Sequence, residues 1–131
     1  MRITVKPKIL VVEDQPEVLT TMMLLLERAG FEVFGAQTGA DGIRLSQNEE
    51  FDLIILDVNL PEKNGFEVCA WLKQDFRFSR TPIIFASGHW NEENRRRALE
   101  LGAADFIDKP LDASFFLQKV FPHLKTARRE N

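Results

Sequence analysis

Several short apolar runs in this chain end in residues that can do chemistry. "KILVVED" (8–14) ends in Glu13 and Asp14, "DLIILDV" (52–58) carries Asp57, "TPIIFASG" (81–88) ends in Ser87 and Gly88, and "ADFIDKP" (104–110) ends in Lys109 and Pro110. Carboxylates held close together repel one another, and an oxygen-only donor set of this kind suits a hard divalent cation such as Mg²⁺ or Mn²⁺. A lysine opposite them supplies countercharge for an anion, and a hydroxyl adds a hydrogen-bond donor. Carboxylates, a divalent cation, Lys and Ser around one centre are the equipment for phosphoryl transfer, in which catalysis is mostly positioning and charge neutralisation. The sequence carries no glycine-rich loop ending in Lys-Ser/Thr, so a bound nucleotide is not indicated. The nucleophile would then be a carboxylate, and its attack on phosphorus would give an acyl phosphate. Asp57 is the most central of the three and is assigned that part. From Leu53 to Val58 it is the one residue that is not apolar. A buried unpaired charge costs several kcal/mol, so Asp57 is expected where the strand opens to solvent and to its partners.

These residues need elements that bring them to one edge. The runs at 8–14, 52–58 and 81–88 are continuous rather than alternating, as strands covered on both faces are. Weaker runs at 31–36 and 104–110 join them. Helical patterns lie between. The first has Pro16 in its first turn and Gly30 just past its end; Thr38 is positioned to cap the second; Gly102 ends the fourth; Asp112 or Ser114 caps the last. Strand followed by helix, five times, implies an α/β fold: a five-stranded parallel sheet flanked by five helices, doubly wound and flavodoxin-like. In such a sheet, ligands bind at the carboxyl ends of the strands. Those ends are where Glu13, Asp14, Asp57, Ser87 and Lys109 fall.

Bulk properties narrow the classes. The 131 residues suit one domain, with a core at about 7–124 and a polar tail, "KTARREN", expected to be frayed. The 17 basic residues do not outnumber the 20 acidic ones, which argues against direct nucleic-acid binding. Cys69 is the sole cysteine, so there is no intrachain disulfide, and its expected place is the core. No apolar run is long enough to span a bilayer or to serve as a signal peptide, and a cytoplasmic protein is expected.

"ILVVEDQ", "DLIILDVNLPEKNGFEV", "TPIIFASG" and "LGAADFIDKPLD", in that order and spacing, resemble the receiver domain of two-component response regulators, over roughly 7–124. The resemblance implies a phosphorylation-activated signalling switch, not an enzyme beyond its own phosphorylation and dephosphorylation. By it Asp57 matches the phosphoacceptor, Asp14 the acidic metal ligand, and Glu13 an acidic neighbour acting through water. Asn59 matches the position whose backbone carbonyl binds the metal. Ser87 and Phe106 match the switch hydroxyl and switch aromatic, Lys109 the lysine that pairs with the phosphoryl group, and the Lys109–Pro110 peptide is expected to be cis. The implied partner is a sensor histidine kinase or a histidine phosphotransfer protein, and the implied output surface is the fourth helix, fifth strand and fifth helix. Phe106 departs from the commoner tyrosine, so its inward state would rest on packing alone. Asn59 and His89 are candidate modulators of water access to the acyl phosphate.

Blander readings stand beside these. His123 is not read as a ligand. Arg95 to Arg97 are read as a solvated helix face, with Glu92–Arg96 and Glu93–Arg97 in the stabilising i,i+4 order. Trp90 is either a partner anchor or a ring packed at the start of the fourth helix. In the last helix Phe116, Leu117, Val120 and Leu124 have core spacing; Phe115 and Phe121 fall off that face and suggest self-association or docking of an output module. Pro122 should kink or end this helix. Competing functions are a pseudo-receiver binding module, disfavoured by the full set Asp14, Asp57, Ser87 and Lys109, and enzymes of similar fold. An aspartate-based phosphatase would want a second Asp where Asn59 stands, and a flavoprotein would want a phosphate loop where "EDQPEV" stands.

Overall fold

The runs rich in Val, Ile, Leu and Phe form strands because a pleated strand covered on both faces has no position for a polar side chain. The computed structural model describes residues 5–124. In chain order it contains β1 (Lys8–Val12), α1 (Pro16–Arg28), β2 (Glu32–Ala36), α2 (Gly39–Asn48), β3 (Leu53–Asp57), α3 (Gly65–Lys73), a 3₁₀ turn (Phe76–Phe78), β4 (Ile83–Ser87), α4 (Glu92–Glu100), β5 (Asp105–Asp108), α5 (Ala113–Val120) and a second 3₁₀ turn (Phe121–His123). The five strands are parallel in the order β2-β1-β3-β4-β5. The fold class expected from the sequence is the fold observed.

Alternate strand residues face opposite layers. Ile9, Val11, Leu53, Ile55 and Ile84 pack with Leu19, Met22 and Leu26 of α1 and with Phe116 and Val120 of α5. Leu10, Val12, Ile54, Leu56 and Phe85 pack on the other side with Phe66, Val68 and Leu72 of α3 and Ala98 of α4. Cys69 is buried in this second layer, and burial pushes its thiol up to about 11, so it behaves as a small apolar side chain.

The helix ends follow their capping residues. Thr38 accepts the Asp41 N–H at 3.0 Å, Asn64 and Glu67 form a reciprocal capping box, and Asp112, not Ser114, accepts the Phe115 N–H at 3.0 Å. Gly30 and Gly102 close α1 and α4 at φ of 101° and 90°. Pro122 ends α5, and the chain tightens into the second 3₁₀ turn. The first 3₁₀ turn carries no signal read in the sequence. The polar tail expected to fray lies outside the described residues.

Two details differ from expectation. Among the described residues, neither Glu92–Arg96 nor Glu93–Arg97 forms an ion pair; Arg95 and Arg97 instead lay their guanidinium groups over aromatic rings. Trp90 precedes α4, whose cap is Asn91, and is a packed ring rather than a free anchor: its Nε1–H donates to the Ile107 carbonyl at 3.0 Å.

One position ties α3 to the end of β3. The Gly65 N–H donates to the Val58 carbonyl at 3.0 Å, and a Cβ added at Gly65 would lie 2.3 Å from the Asp57 carbonyl oxygen. Backbone must move to admit it, not a flexible side chain. Gly65→Ala is therefore expected to destabilise the fold by about 1–3 kcal/mol, read as a lower urea midpoint at unchanged m-value.

Candidate functional site

Parallel crossovers deliver the carboxyl ends of β1, β3, β4 and β5 to one edge of the sheet. Glu13 and Asp14 follow β1 directly, Asp57 is the last residue of β3, Ser87 the last of β4, and Lys109 follows β5. The Lys109–Pro110 peptide is cis, as the resemblance implied. These ends line an open cleft of about 690 Å³ with Asp14, Asp57, Asn59, Gly88 and Lys109 on its walls.

Asp57 was expected where the strand opens to solvent. It stands at the strand end, but it is 2% exposed, and Glu13 is fully buried. Their charges are compensated by Lys109, whose Nζ lies 2.9 Å from Glu13 Oε1 and 3.3 Å from Asp57 Oδ2. Glu13 is thus bonded directly to a lysine, and its other oxygen accepts the Gln15 N–H at 3.1 Å. A buried charge is tolerable when it is paired and hydrogen-bonded.

One lysine does not neutralise the site. Asp57 is pushed up to about 6, first by burial and then by the facing Glu13 charge; Lys109 and the Asn59 N–H, 3.5 Å from Oδ1, pull the other way. Burial by itself would lower the Lys109 ammonium, but its hydrogen bond to Glu13 and the charge of Asp57 outweigh this and hold it above the usual lysine value. Glu13, Asp14 and Asp57 each offer one oxygen, all within 4.8 Å of one another. Such a set, with its unbalanced negative charge, fits a hard divalent cation.

The remaining residues named from the sequence divide. Asn59 lies on the cleft wall and is exposed. Ser87 is buried and turned to its own loop: its Oγ accepts the His89 N–H at 3.0 Å and donates to the His89 carbonyl at 3.2 Å. His89 is exposed and is not among the cleft-lining residues. Phe106 is half-buried, its ring 4.9 Å from that of Trp90 and nearly perpendicular to it. Phe115 and Phe121 are 66% and 46% exposed, outside the cleft, and Phe121 leans on Phe31 at 5.8 Å. Gly65 and Asn94 were not singled out, and Arg95 was read only as part of a solvated helix face. Gly65 had a legible signal, a glycine directly after the capping Asn64; Arg95's ring contacts had none, because its partners come from the β4–α4 loop and from β5.

Matched against known proteins, residues 9–121 fit the family described as the response regulator receiver domain. A probable transcriptional regulatory protein of Picosynechococcus is 38% identical over 82% of this chain and 45% of its own length. The transcriptional regulatory protein GltR of Pseudomonas aeruginosa is 37% identical over 92% of this chain and 50% of its own. The chain thus spans about half the length of these curated relatives. Among solved structures, Vibrio cholerae chemotaxis protein CheY4 superposes with a TM-score of 0.89 at 28% identity, covering 92% of this chain and all of that one. The non-phosphorylated HemR receiver domain of Leptospira biflexa gives 0.85 at 32% identity over 94% of this chain and 98% of that one. No helix among the described residues is long and apolar enough to cross a membrane. With its four site-bearing strand ends in place and its match running over most of its length, the chain belongs to the family of response regulator receiver domains.

Proposed function

We propose that Asp57 is the phosphoacceptor of this receiver domain and that its phosphorylation by a sensor histidine kinase or a histidine phosphotransfer protein, in the cytoplasm, drives the switch. The observation that carries the reading is the buried Asp57 carboxylate facing one lysine and two further carboxylates at the end of β3. Glu13, Asp14, Asp57 and the Asn59 carbonyl would hold a divalent cation, Mg²⁺ or Mn²⁺, with Glu13 acting through water. When bound, that ion neutralises charge on the phosphoryl oxygens.

An Asp57 carboxylate oxygen attacks phosphorus in line with the phosphohistidine nitrogen. The O–P bond forms as the P–N bond breaks, and the bonding pair leaves with the imidazole, which takes up a proton. Lys109 faces the incoming phosphoryl group, and its ammonium exchanges part of its pairing with Glu13 for the new dianion. The Ser87 hydroxyl leaves the His89 backbone for a phosphoryl oxygen. The space Ser87 vacates admits the Phe106 ring, and the face formed by α4, β5 and α5 rearranges: local electrostatics read out by a bistable packing element. Asn59 and His89, at and beside the rim, tune the approach of water to the acyl phosphate. The exposed Phe115 and Phe121 support α5 as a contact surface, either for a second copy or for an output module.

Incubation with acetyl phosphate should add one phosphoryl group to the intact mass, dependent on Mg²⁺ and absent in Asp57→Ala. An unmodified wild type that also refuses a phosphohistidine donor would favour the pseudo-receiver. Self-association through α5 predicts a higher sedimentation coefficient after phosphorylation, lost in Phe115→Ser; a monomer in both states would exclude it.

The raised Asp57 pKa predicts a pH dependence. Its folded value, about 6, exceeds its ordinary value of 3.8, so the folded chain binds more protons between those limits and stability falls as pH rises through them. In a metal chelator, Asp57→Asn should be more stable than wild type by about 1–2 kcal/mol above pH ~7, the full shift being discounted for the open cleft. The difference should vanish below pH ~4, where Asp57 is neutral. Urea unfolding at both pH values measures it.

A further inference from the structure

α4 is weakly held. Ala98 is its one buried side chain, and what fixes its first turn is polar and aromatic rather than apolar. Asn94 closes a capping box with Asn91 and also donates from Nδ2 to the His89 carbonyl at 3.1 Å. That carbonyl also accepts from the Ser87 hydroxyl. The next residue, Arg95, lays its guanidinium carbon 4.5 Å from the centre of the Phe106 ring and 5.8 Å from the Trp90 ring. The two rings meet edge to face, and the indole is itself pinned to the Ile107 carbonyl of β5. A guanidinium over an aromatic face is favourable by electrostatics and dispersion, and a perpendicular ring pair adds to it. Phe106 has no hydroxyl with which to choose a position, so these contacts act on its ring without competition from a phenolic hydrogen bond.

We propose that Arg95 is a positioning residue of the switch: laid across Phe106 and Trp90, it clamps the Phe106 ring in the unphosphorylated arrangement and must release it for the α4–β5–α5 face to rearrange. The proposal rests on the reading of Ser87 and Phe106 as switch residues and adds what holds them at rest. The wiring is continuous. The Ser87 hydroxyl and the Asn94 amide share the His89 carbonyl, and Asn94 is followed on α4 by the arginine of the clamp. When Ser87 turns toward Asp57, the loop gives up both Ser87 bonds to His89, and the anchorage of the first turn of α4 weakens on the side where Arg95 spans the rings. A contact that favours the resting state lowers the population of the state that accepts phosphoryl groups, and its removal raises it.

The test uses a Trp71→Phe background, so that Trp90 alone fluoresces, and compares Arg95→Gln, Phe106→Leu and the double variant. Arg95→Gln should raise acrylamide quenching of Trp90 without any phosphoryl donor. It should also speed Asp57 phosphorylation by acetyl phosphate about two- to tenfold, the range such a contact supports. In the Phe106→Leu background, which lacks the ring face, Arg95→Gln should add little to the rate. The proposal is overturned if Arg95→Gln only lowers the urea midpoint, leaving quenching and rate unchanged, or if its effect on rate is the same without the ring. If the parent chain takes no phosphoryl group at all, the phosphoacceptor reading fails, and the quenching result decides the clamp by itself.

Discussion

Glu13 and Asp57 are removed from water at the end of a parallel sheet, and a single ammonium, Lys109, stands between them. Everything else at this edge follows from that imbalance. Two buried carboxylates and a third nearby repel, burial disfavours their ionised forms, and one lysine offsets only part of the cost. The chain keeps the arrangement because the sheet behind it is apolar on both faces and its strand ends cannot move apart without opening that core. The residual negative charge is what makes the cleft receptive to a divalent cation. Lys109, reaching across from the end of β5, stands between the two carboxylates.

The two helices that flank this site on one side of the sheet are held very differently. α3 begins with Gly65 pressed against the Asp57 carbonyl and buries Phe66, Val68, Cys69 and Leu72. α4 buries Ala98 and otherwise depends on a capping box and on guanidinium groups over rings. Buried apolar area sets how readily an element opens. The end of β3, with Asp57, therefore abuts the firmly held helix, while α4 is the loosely held one. The two helices beside the cleft are thus distinguished by how many side chains each buries.

Between them lies Phe106. It sits half-buried at the border of the apolar layer, touched by an indole edge and a guanidinium rather than held by a hydrogen bond of its own. Such contacts are each modest, so the ring is held only weakly. Ser87 shows the same character on the other side of the loop, since its hydroxyl is satisfied, among the described residues, only by the His89 backbone.

By itself the sequence settled the fold class and which residues reach the carboxyl edge of the sheet. Continuous apolar runs alternating with helical patterns admit few arrangements other than a doubly wound parallel sheet, and that sheet sends Glu13, Asp14, Asp57, Ser87 and Lys109 to one edge whatever the side chains do. Caps such as Thr38, Asp112 and Gly102 were legible because their chemistry is local. The depth of Asp57 was not legible. Burial depends on Lys109, which is 52 positions along the chain from it, closing over the strand end. Nor was the use of the arginines: i,i+4 spacing suggests Glu–Arg pairs, but the loop before α4 and strand β5 bring Trp90 and Phe106 beneath Arg95, and an exposed ion pair in water is worth too little to compete. Spacing along the chain decides which residues share an edge. Only the folded chain decides which of them lose water, and it is the loss of water that sets the charge on Asp57 and the hold on Phe106.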